Sequence, residues 1–270
     1  MKRCIFAIMA AMLLCGCSIK EEPDTLAVSF FDVGKADSFL MTCGGKNLLM
    51  DAGTAKDGKK VAKRLEDMGV ESIDYLMITH FDRDHAGGAA QIIQDFDVKA
   101  LLRPEYMKES DESAECMAAE DRGVKVIIIT SQTDIQLGST KLVIHPADKV
   151  YENDASNNSS LVTEVFHENN SLLFTGDIEK ERIADIKYEL NDAGYDFLKV
   201  PHHGRYEKIL PEFFSLVGAQ SAVITSSEKN PEEQETIQAL EDAGVKDILL
   251  TRGGEITLQS DGRKLDFTQK

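Results

Sequence analysis

The chain has 270 residues, with 30 Lys and Arg against 47 Asp and Glu and a formal net charge of −17. With 42% hydrophobic and 29% charged residues, disordered and fibrous classes are excluded, and the chain is long enough to bury a sizeable core. No basic patch is evident, which weighs against surfaces built to attract nucleic-acid phosphates or anionic lipid.

Lys2 and Arg3 precede an apolar stretch, Cys4 to Leu14, which is too short to span a bilayer and reads as an export signal. It ends in Leu14-Cys15-Gly16-Cys17, which resembles the lipobox of bacterial lipoproteins, with Cys17 as the residue lipidated after cleavage. On this reading residues 1–16 are signal peptide, 17–24 a polar tether and 25–270 the folded domain. The body is then held by lipid at the extracytoplasmic face of the cell membrane. An ordinary secretory leader fits the same tether and also exports the body. Losing Lys2 and Arg3 leaves 28 basic against 47 acidic residues, a balance of −19. Cys43 and Cys116 remain as a disulfide pair or as buried thiols, and no zinc-finger spacing occurs.

Apolar runs of strand length then alternate with helical patterns. Strands are predicted at 26–33, 38–43 and 47–51, the last two joined by Gly44-Gly45. Helical spacing over 59–68 stops at Gly69, a favourable C-cap. A strand at 74–79 runs into a polar, histidine-bearing loop, followed by a helix at 88–96. Strands are predicted at 99–102, 124–130, 134–137 and 141–145, around a helical segment near 110–120. In the second half, strands at 160–167 and 171–175 flank a Glu168-Asn169-Asn170 turn. They lead to a helix at 179–191 and a strand at 197–200. A strand at 222–225, a helix at 232–243 and strands at 248–251, 255–259 and 264–267 complete the chain. The pattern predicts an α/β protein with face-to-face mixed sheets and helices outside.

Chemistry-bearing residues gather at strand ends. His80-Phe81-Asp82-Arg83-Asp84-His85 puts four potential metal ligands within six residues, and imidazole with carboxylate suits Zn²⁺, Mn²⁺ or Fe. The alternative is a solvated loop in which Asp82 and Asp84 cap the following helix. Asp177 follows a second apolar strand, and His202 and His203 follow a third. Three such sites on separate strands favour the metal reading. His145 and His167 read as structural, Phe30 and Phe31 as core, and Glu179-Lys180-Glu181-Arg182 as surface ion pairs.

The His80–His85 segment resembles the metal-binding signature of the metallo-β-lactamase fold superfamily, whose common form is His-x-His-x-Asp-His; Asp82 stands where the second His is usual. That departure joins Phe31-Asp32-Val33-Gly34-Lys35-Ala36-Asp37-Ser38, Leu49-Met50-Asp51-Ala52-Gly53, Asn157-Asn158-Ser159-Ser160, Thr175-Gly176-Asp177 and His202-His203-Gly204. Together they are similar to the extracellular hydrolase domain of the competence DNA-uptake channel family, ComEC, over about residues 26–260. Lys35-Ala36 departs from the family's usual Gln-Gly, and Pro201 and Arg205 replace its usual Gly and Ser.

The resemblance implies an αββα sandwich and a hydrolase with two divalent metals, Zn or Mn, and a metal-activated hydroxide as nucleophile. His80 and Asp82 would hold one metal and Asp84 and His85 the other, with Asp177 bridging. His203 is preferred over His202 as a ligand, and the other histidine would face substrate. Asp51 would orient ligand groups. Asn157 or Asn158 occupies the region where many relatives supply a further His. Asp84, His202 and His203 are the expected catalytic residues. A phosphodiesterase or nuclease-like reaction is expected, and the acidity favours small phosphodiesters or cell-wall phosphates over duplex DNA. The alternatives are a lactonase, thioesterase or β-lactamase of the same fold, or a non-catalytic metal-binding lipoprotein.

Overall fold

The computed structural model describes residues 24–107, 114–191 and 193–270. The expected signal peptide, Cys17 and nearly all of the expected tether lie outside the described residues. The first half runs β1 (Leu26–Phe30), β2 (Phe39–Cys43), β3 (Lys46–Met50), α1 (Gly58–Asp67), β4 (Ser72–Ile73), β5 (Tyr75–Met77), α2 (Arg83–Ala86), α3 (Ala89–Asp95), β6 (Asp97–Val98), β7 (Ala100–Pro104), α4 (Ala114–Arg122) and β8 (Lys125–Ile129). There follow β9 (Thr133–Leu137), β10 (Thr140–His145), α5 (Ala155–Asn158), β11 (Val162–His167), β12 (Asn170–Phe174), α6 (Lys180–Ile186) and β13 (Phe197–Lys199). The chain ends with α7 (Leu210–Val217), β14 (Ser221–Ile224), α8 (Gln234–Asp242), β15 (Asp247–Leu250), β16 (Ile256–Ser260) and β17 (Leu265–Gln269).

Two large sheets form, an eight-stranded one in the order β17-β16-β1-β2-β3-β5-β7-β8 and a seven-stranded one in the order β15-β14-β13-β12-β11-β10-β9. Each is antiparallel on one side and parallel on the other, because β3, β5, β7 and β8 run together, as do β12, β13, β14 and β15. The parallel halves need crossovers, and helices supply them.

Side-chain alternation explains the layering. On β3, Leu48 and Met50 join the core between the sheets, while Leu49 joins a second cluster with Val61 and Leu65 of α1 and Ile92 and Ile93 of α3. On β12, Leu172 and Phe174 face the same central core, while Leu173 packs with Ile183 of α6, Phe213 of α7 and Leu240 of α8. Strands that are apolar on both faces therefore need cover on both, and the result is helix, sheet, sheet, helix. Phe30, Phe39, Phe174 and Phe197 centre the inter-sheet core, with ring centroids 5.1 to 6.3 Å apart.

Helix α7 was not predicted, because Leu210-Pro211 punctuates its start; Pro in the first helical turn costs no hydrogen bond. Helix α6 ends at Ile186, short of the predicted 191. Cys43 and Cys116 are free thiols, one in the inter-sheet core and the other beside the α1–α3 cluster. No helix among the described residues is long and apolar enough to cross a membrane.

The sheets also set two poles. β3, β5, β12, β13 and β14 all point their C-terminal ends to one pole, where open α/β sheets place ligands. At the opposite pole the chain enters β1, and buried His167 lies 2.6 Å from the Asp24 carbonyl oxygen and 2.7 Å from Ser260 Oγ.

Candidate metal centre

Asp51 closes β3 in left-handed backbone, with φ 56°. Its Oδ1 accepts the Thr79 N–H at 2.8 Å, and its Oδ2 accepts the Thr79 hydroxyl at 2.7 Å and lies 2.7 Å from His85 Nδ1. His85 is thereby turned so that Nε2 faces Asp177 Oδ2, 3.2 Å away. His80, in the loop between β5 and α2, is fully buried, with its ring centroid 4.1 Å from that of His85.

From the second sheet, β12 delivers Asp177 through a turn at Gly176, where φ is +55° and a Cβ would meet Ser160 at 2.8 Å. His202 and His203 follow β13 and both adopt left-handed backbone, with φ of 46° and 53°. Such positions cost about 1–3 kcal/mol each and concentrate at functional sites. They turn the two rings apart. His203 is buried, with Nδ1 3.1 Å from the Thr225 carbonyl oxygen and Nε2 3.1 Å from Asp177 Oδ2 and 3.4 Å from Asp84 Oδ2. His202 lies toward the mouth, with Nε2 3.9 Å from Asp177 Oδ2 and Nδ1 2.9 Å from Glu179 Oε1.

Ligand atoms of His80, His85 and Asp177 lie within 4.8 Å of one another, as do those of Asp84, His85 and His203. His80 Nε2, His85 Nε2, His203 Nε2 and Asp177 Oδ1 are buried without a hydrogen-bond partner. Orphaned buried polar atoms are costly and rare. The three Nε2 atoms converge on the Asp177 carboxylate, and a set of imidazoles and carboxylates suits Zn²⁺, Mn²⁺ or Fe. The residues present therefore fit a metal centre.

Electrostatics follow from burial and proximity. Burial, and then His85, push the His80 pKa down from 6.5 to about 3, so the ring is neutral. Burial also opposes charge on His85, but Asp177 and Asp51 outweigh it and hold His85 well above 6.5. His203 is raised in the same way, against burial, by Asp177 and Asp37. Burial alone would raise Asp177, yet His203, His85 and Lys199 hold it well below the usual carboxylate range.

Asp82, expected beside His80 as a ligand, accepts a hydrogen bond from Ser156 Oγ at 2.5 Å. Asn157 and Asn158 stand behind the site: Asn157 Nδ2 donates to Glu179, the neighbour of His202, and Asn158 Oδ1 accepts the Glu179 and Arg182 N–H groups at the start of α6. Ser160 is the residue of that loop near the centre, 3.3 Å from His80 Nδ1 and accepting the Asp177 N–H. Glu179 and Arg182, expected as surface pairs, are buried.

Two residues of the site were missed. Asp37 and Lys199 are both buried and lie 2.5 Å apart, carboxylate to ammonium. A readable signal existed for Lys199, a lone charge within the apolar run Phe197–Val200.

Helices outside two mixed sheets, with an Asp/His centre at their C-terminal pole, define a class, and a metallo-β-lactamase superfamily model matches residues 31–225. The chain belongs to the metallo-β-lactamase superfamily. It is 27% identical over 205 residues to ComE operon protein 3 of Bacillus subtilis, covering 74% of this chain and 26% of that protein. It is 28% identical over 238 residues to Recombination protein 2 of Haemophilus influenzae, covering 85% of this chain and 28% of that one. The chain thus spans about a quarter of the length of these relatives. Among solved structures, the metallo-β-lactamase fold protein YhfI from Bacillus subtilis superposes with a TM-score of 0.55 at 11% identity, covering 84% of this chain and 96% of that one.

Proposed function

We propose that this protein is an exported, lipid-anchored, metal-dependent hydrolase of phosphodiesters, acting on small or cell-wall phosphate esters. The observation that carries the reading is the convergence of three unpartnered Nε2 atoms, from His80, His85 and His203, on the buried carboxylate of Asp177. When bound, two divalent cations supply activated water and offset charge developing on the ester.

The chain's own residues supply the rest. Asp84, part-exposed at the rim, faces the open side and orients the nucleophile. His202 stands at the mouth with Nδ1 against Glu179, which leaves Nε2 turned inward to protonate the leaving oxygen. Arg205 Nη1 sits 3.2 Å from Glu179 Oε1, and its half-exposed side chain offers its remaining donors to an incoming anionic group. The net charge of −17 opposes long polyanions, so a short ester that fits beneath His202 and Arg205 suits the site better than duplex DNA.

The test is a substrate panel on one metal-loaded preparation: bis-p-nitrophenyl phosphate, nitrocefin, a lactone and a thioester. Turnover of the phosphodiester above the others supports the reading. Preference for the lactone, thioester or nitrocefin contradicts it.

A further inference from the structure

We propose that Lys199 is a positioning residue of this centre: paired with Asp37, its ammonium holds Asp177 Oδ1 aside, so that Oδ2 alone is presented to the ligand imidazoles. The inference rests on the metallohydrolase reading and goes beyond it, because neither Lys199 nor Asp37 is a ligand in that reading.

The two oxygens of Asp177 have different surroundings. Oδ2 lies 3.2 Å from His85 Nε2 and 3.1 Å from His203 Nε2, inside the ligand groupings. Oδ1 lies on the other side, 3.6 Å from Lys199 Nζ, and has no hydrogen-bond partner. Lys199 Nζ is also 3.4 Å from the Gly176 carbonyl oxygen, just before Asp177, and 2.5 Å from Asp37 Oδ2. The ammonium is thus wedged behind the bridging carboxylate and keeps Oδ1 from turning inward.

Asp37 is itself clamped by three loops. Its Oδ1 accepts the Thr225 hydroxyl at 2.6 Å, its N–H donates to the Asp84 carbonyl oxygen, and its own carbonyl oxygen accepts the Gly53 N–H. A pair held this firmly has little freedom to follow Asp177, so Asp177 is fixed to the pair.

Neighbouring charge explains why an ammonium is tolerated there. An isolated buried ammonium is prohibitively costly. Asp37, 2.5 Å away, and Asp177, 3.6 Å away, are the carboxylates that face it and offset its charge.

A single and a double variant test this on the full protein, using Mn²⁺ alone as probe, with metal counted by elemental analysis and metal–metal coupling read by electron paramagnetic resonance. Wild type is expected to bind two Mn²⁺ with an exchange-coupled spectrum. Lys199→Met is expected to weaken the second Mn²⁺ about tenfold or more and to lose the coupled spectrum. The double variant Asp37→Asn/Lys199→Met removes the buried pair without leaving a lone charge, and so keeps the fold in case the single variant does not. It is expected to lack the coupled spectrum too, because Oδ1 of Asp177 remains unheld. A double variant with wild-type affinity and coupling overturns the proposal and leaves Lys199–Asp37 as an ordinary ion pair. Wild-type protein that binds fewer than two Mn²⁺ overturns the metallohydrolase reading itself, and this proposal with it.

Discussion

Asp51 Oδ2 lies 2.7 Å from His85 Nδ1, so the residue that closes β3 sets the direction of a ring in α2. The contact fixes the tautomer and aims Nε2 at Asp177, as carboxylate–histidine pairs do behind metal ligands. Asp51→Asn tolerates the left-handed backbone but loses the acceptor strength. It is expected to weaken metal binding about 10- to 100-fold, measured by competition with a chromophoric chelator, while the thermal unfolding of the metal-loaded protein stays cooperative. Unchanged affinity would remove Asp51 from its orienting role.

Asp177 and Asp84 separate on function. Asp177→Ala removes the carboxylate shared by the imidazoles and is expected to abolish binding of at least one metal together with turnover. Asp84→Ala is expected to lower turnover by more than about a hundredfold with the fold retained, as seen by circular dichroism. Comparable activity in wild type and Asp177→Ala would contradict the assignment.

Metal uptake should depend on pH with a definite sign. In metal-free protein the pKa values of His85 and His203 are raised by the neighbouring carboxylates, so both rings hold a proton more tightly than a free imidazole, and a metal must displace it. Affinity therefore rises with pH through the raised values, and uptake releases protons, which calorimetry in buffers of different ionisation enthalpy detects. The same shifts mean that these two groups stabilise the metal-free fold fully below pH 6.5, the ordinary histidine value, and lose that contribution as pH rises through their folded values. The depressed Asp84 and Asp177 act oppositely, and their contribution is lost as pH falls below the ordinary carboxylate range. Denaturant midpoints of metal-free protein should fall on both the alkaline and the acid side.

Away from the centre, Glu164 Oε1 lies 2.8 Å from His145 Nε2, and its Oε2 accepts the Tyr195 hydroxyl at 2.5 Å. Glu164→Ala strands both buried partners and is expected to cost about 1–3 kcal/mol of stability with no change in metal content. A drop in metal content matching the loss of stability would show that the network reaches the site.

What the sequence showed and what it hid divide along physical lines. The strands were legible because both faces of β3 and β12 are buried, so their runs are uniformly apolar. The loop from His80 to His85 and the residues Asp177, His202 and His203 were legible because each follows such a run directly. The separation of His202 from His203 was a weaker reading, since it depends on two left-handed residues that side-chain identity does not advertise. Lys199 stands out as a lone charge in an apolar run, but its pairing with Asp37 was hidden because it joins two sheets. Asn157 and Asn158 occupy the expected segment, and their amides go to the start of α6, behind the Glu179 that faces His202. Buried Arg182, whose Nη2 donates to the Pro146 carbonyl oxygen, shows how tertiary packing overrides a surface-like charge pattern.

If His80, His85, His203 and Asp177 hold two metals that hydrolyse phosphodiesters, metal content and turnover must rise and fall together. The most direct measurement counts metals per chain by elemental analysis and assays bis-p-nitrophenyl phosphate hydrolysis on the same sample, before chelation, after it and after restoring Mn²⁺ or Zn²⁺. The account predicts two metals per chain, loss of turnover with the metals and recovery with their return. Turnover that persists in fully chelated protein, or a chain that takes up two metals yet hydrolyses no phosphodiester, would contradict it.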